Sequence, residues 1–104
     1  MLVIPLQSVP AQNVGVMLAG QPCAIGIFQK TTGLYCNLSV NDTTIVVGVL
    51  CLNGTLIVRD RYFGFIGDLA FFDTQGSADP EHDGLGKRFF LGYYAPADIP
   101  ARLV

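Results

Sequence analysis

Hydrophobic and polar residues trade places with a period of two along much of this chain. In LYCNLSV, the residues Leu34, Cys36, Leu38 and Val40 fall on one face while Tyr35, Asn37 and Ser39 fall on the other, as in a strand with one side buried. NVGVMLA repeats the pattern through Val14, Val16 and Leu18. Glycines recur at short intervals, the punctuation of brief strands joined by turns. PCAIGIFQ runs into KTTG, which predicts a hairpin from Ile25-Ile27 to Leu34-Cys36. NDTT and LNGT read as further turns, since asparagine and glycine tolerate positive φ.

Two segments break the alternation. In TTIVVGVLCL, Ile45, Val47, Val49 and Cys51 point one way while Val46, Leu50 and Leu52 point the other, so both faces are apolar. The β-branched run favours a strand buried on both sides. RFFLGYY behaves alike, with Phe89, Leu91 and Tyr93 opposed by Phe90 and Tyr94. One face is expected to fill the core and the other to meet a neighbour. No segment carries a helical stripe. The predicted fold class is therefore all-β, a small antiparallel β-barrel or sandwich forming a single domain over residues 1–104. Residues 95–104, APADIPARLV, are expected to form an extended C-terminal tail, mobile or draped on a partner.

Composition changes this picture in one respect. Hydrophobic residues make up 51% of the 104 and charged residues 13%, against roughly 25% charge in an average soluble domain. One core fits this length. A small domain so short of solvating groups is expected to be sheltered by other subunits, and the isolated chain to self-associate. The net charge of −2 provides no clustered cations for a nucleic-acid backbone. MLVIPLQ lacks the basic region of a signal peptide, and the longest apolar run, IVVGVLCL, is far shorter than the roughly 18 residues of a membrane helix. The chain is expected to remain where it is made, in the cytoplasm, unless an assembly carries it elsewhere. Cys23, Cys36 and Cys51 have neither C-x-x-C nor zinc spacing and read as buried reduced thiols.

Candidate chemistry concentrates in FFDTQGSADPEHDGLGKRFF, which holds four of the eight acidic residues and the only histidine. DPEHDG puts Asp79, Glu81, Asp83 and Gly84 where a calcium loop begins, but Phe90 stands where its closing glutamate belongs. GLGKR fails as a phosphate loop, with Glu81 and Arg88 at the positions of the required glycine and hydroxyl. Any nucleophilic pair would have to use His82, and Ser77 lies in the same polar loop. Catalytic residues, metal ligands and cofactors are therefore all expected to be none. The loop reads instead as a rigid connection. Asp73 and Thr74 cap a strand end, Asp79-Pro80 starts a turn, Gly84 and Gly86 finish it, and Arg88 pairs with one of the carboxylates. The competing readings are a small ligand-binding β-module using the acidic 73–88 loop and, more weakly, a hydrolase using His82.

VIPLQSVPAQNVGVMLAGQ, GVLCLN and above all GDLAFFDTQGSADPEHDGLGKRFFLGYY resemble the phage baseplate plug family, small proteins of contractile-tailed phages first placed structurally in a cyanophage baseplate. The resemblance runs from about Val3 to Tyr94 and departs at His82, where an aromatic residue, usually tyrosine, is expected. It implies a non-enzymatic virion subunit of the tail baseplate, present in several copies around the tail axis. The implied partners are other baseplate proteins, namely the hub, the spike and the tail tube or its initiator, with neither nucleic acid nor membrane among them. Asp73, Thr74, Gly76, Asp79, Pro80, Gly84, Leu85, Gly86 and Arg88 carry over as a structural loop motif.

Overall fold

A computed structural model describes residues 2–58 and 66–99. The strands are β1 (Leu2–Ile4), β2 (Ala11–Leu18), β3 (Gln21–Lys30), β4 (Gly33–Val40), β5 (Thr43–Leu50), β6 (Asp68–Asp73) and β7 (Phe89–Tyr94). Single 3-10 turns cover His82–Gly84 and Pro96–Asp98. Strands β2-β3-β4-β5 form an antiparallel meander, and β1-β7-β6 form a second antiparallel sheet. Of the two expected architectures the fold is the sandwich; the sheets do not close into a barrel. In the expected tail, Pro96–Asp98 coil into the 3-10 turn rather than running extended, and residues 100–104 lie outside the described residues.

The meander follows from its turns. Ala19-Gly20 has φ of 51° and 74°, and Asn41-Asp42 has 52° and 65°. Two consecutive left-handed residues make the type I′ turn, whose twist matches that of the strands it joins. The registers set by these turns put one stripe from each sheet into a shared interior. Cys23, Ile25 and Ile27 of β3 and Leu34, Cys36 and Leu38 of β4 face Leu69 and Phe71 of β6, Phe89 and Leu91 of β7, and Ile4 of β1. Burying each large aliphatic or aromatic side chain contributes roughly 1.5–3 kcal/mol. The three cysteines are buried free thiols within this core, as expected from their spacing.

β5 departs from its expected two-faced burial. It is an edge strand, and its register against β4 shifts twice, between Cys36 and Leu38 and between Leu38 and Ser39. Gly48, at φ 63°, is the left-handed residue of the first shift, and its N–H donates to Asn37 Oδ1 at 2.7 Å. Each bulge inserts a residue and reverses the phase of alternation. Val46 therefore faces the core before the bulge, and Val49 and Cys51 after it, while Val47 is left 72% exposed. The segment that follows seals β6, as Gly54 N–H donates to Phe71 O at 2.8 Å and Ile57 N–H to Leu69 O at 2.9 Å.

Because the left-handed region costs a residue with a Cβ about 1–2 kcal/mol, Gly48→Ala is expected to lower unfolding free energy by about that amount. Gly48→Asn should cost less. Urea denaturation checks the order; equal stability of all three chains would show that the bulge does not hold the glycine in this conformation.

Candidate functional site: the clasped loop from Asp73 to Arg88

The loop leaves the sandwich at the end of β6 and returns at the start of β7, and its two ends grip each other. Arg88 donates from Nε to Asp73 Oδ1 and from Nη2 to Asp73 Oδ2, both at 2.8 Å, a two-point pairing that fixes orientation as well as distance. The same carboxylate accepts the backbone N–H groups of Gln75 and Ala78, each at 2.9 Å. Thr74 closes the base, its N–H and Oγ1 both donating to Arg88 O at 2.9 and 2.8 Å. The Asp73 side chain is wholly covered, whereas Arg88 keeps some exposure. The Arg88 guanidinium, helped by the two amides, holds the Asp73 carboxyl well below the usual carboxylate range.

A second anchor reaches across the sequence. Asn53, in the segment that seals β6, accepts the Asp73 N–H at Oδ1 and donates its own N–H to Asp79 Oδ1, both at 3.0 Å. Pro80 and Leu85 are buried, and Ser8 Oγ donates to Leu85 O at 2.7 Å. The expected turn after Asp79-Pro80 forms as the 3-10 turn His82–Gly84, with Gly84 N–H donating to Glu81 O. Gly84 lies against the Phe89 ring, where an added Cβ would come within 2.6 Å of it. Gly86 combines φ of 76° with Leu6 O only 2.6 Å from where a Cβ would stand. Gly76 is packed beside the ion pair, 3.3 Å from Asp73 Oδ2 on the same measure. The predicted residues thus lie along one loop whose ends are clasped by Asp73, Thr74 and Arg88.

Sequence reasoning missed three participants. Gln29 on β3 accepts the His82 N–H at 2.9 Å, and its Oε1 lies 3.4 Å from His82 Nδ1. Asn53 had looked like a turn residue only. Asp68 is the third: it is 3% exposed, and its Oδ1 accepts N–H groups from Ile57, Val58 and Leu69 at 3.2, 2.8 and 2.7 Å. Nothing local signals the first two, because their partners are distant in sequence. Asp68 had a faint signal in the Gly67-Asp68 pair ahead of an apolar run, with Gly67 at φ 106°.

Chemically the arrangement is a brace. Asp73 and Asp79 spend oxygens on backbone amides, and among the described residues no three His, Cys, Asp or Glu side chains converge as metal ligands. Two open depressions of about 290 and 320 Å³ flank the loop. The fold and the clasp define a small β-sandwich presenting one stiffened loop. The sequence matches the family model described as cyanophage baseplate Pam3 plug gp18 over residues 1–96, and the chain belongs to that family. A comparison with curated proteins yields no match. Family membership indicates a structural role in the virion tail baseplate.

The Asp73 pKa is lower folded than unfolded, so its contribution to stability is present above about pH 4, the unfolded value, and is lost as pH falls through the folded one. Asp73→Asn is expected to melt several degrees below the native chain at neutral pH, with the gap narrowing below about pH 4. Parallel melting curves across the acid range would refute the clasp as a source of stability.

Proposed function

We propose that this protein is a plug subunit of a contractile phage tail baseplate, packed near the hub, spike and distal tail tube, and that it acts through protein contacts alone. Several copies surround the tail axis. The observation that carries this reading is the family match across residues 1–96, which includes the whole clasped loop. Two structural features support it. Leu2, Val3, Met17, Val47, Leu50 and Ile66 are exposed although apolar, leaving surface that neighbours can cover. The loop is braced at Asp73, Asn53 and Gln29, so it can present a fixed shape to a partner.

Imaging of purified tails at side-chain resolution is expected to find the chain in the baseplate beside the hub and spike. Finding it only in the head or fibres, or in no particle, would overturn the reading.

Substitution separates shape from chemistry. His82→Ala should leave assembly and infectivity nearly intact. Gly86→Val should abolish incorporation into tails, because it forces a β-branched residue into a left-handed position against Leu6 O. Particles that assemble with His82→Ala yet fail to infect would move a chemical role to the front.

A further inference from the structure

We draw no further inference here: the strongest candidate, the uncharged edge strand β2 from Ala11 to Leu18, carries none because nothing among the described residues shows what covers it.

Discussion

A buried backbone N–H without an acceptor costs roughly 1–3 kcal/mol, as much as the burial of a large aliphatic side chain contributes. Beneath β6 this sandwich meets that constraint with a carboxylate. Asp68 takes the amides of Ile57, Val58 and Leu69 at the point where the irregular segment packs under β6. Nearer the surface, Asp73 takes those of Gln75 and Ala78 where β6 ends and Asp79 that of Asn53 where the loop crosses back, while side-chain amides of Asn53 and Gln29 accept the N–H groups of Asp73 and His82. An ionised oxygen is a stronger acceptor than a neutral one and takes several donors at once, so a few residues can replace a missing strand.

That use of acidic residues bears on the surface. The chain is already poor in charge, and Asp68, Asp73 and Asp79 direct theirs at its own backbone. Arg88, one of only six lysines and arginines, is committed to Asp73. What remains to face outward is disproportionately small or apolar, including Met17 at 64% exposed and Val47. The same side chains that stiffen the loop therefore deplete the exterior of the groups that keep a monomer in solution, and a domain built this way is suited to contact with other subunits.

The meander was legible because its alternation is local: Val14 to Leu18 and Leu34 to Val40 face inward as their spacing predicts, and the turns at Asn41-Asp42 and after Lys30 fall where the polar tetrads stand. β5 was misread because periodicity assumes an unbroken ladder, and a left-handed Gly48 reverses phase in mid-strand. β1 is too short to show a period and exists because β7 offers it an edge. In the loop, the pairing of Arg88 with a carboxylate and the turning role of Gly86 could be read from residue type. Gln29 and Asn53 could not, since a hydrogen bond spanning the fold leaves no trace in local composition.

The glycines show how a residue's cause can be located. Gly48 and Gly86 sit at left-handed φ, and Gly86 also lies against a backbone oxygen, so the fold of a single chain accounts for them. Gly84 is explained by the Phe89 ring alone. Gly15 has an ordinary conformation, open space beside it and a place on an uncharged edge, and a single chain would be better served there by almost any β-former. The glycines of the clasp are thus placed by contacts within the chain, whereas nothing among the described residues requires one at Gly15.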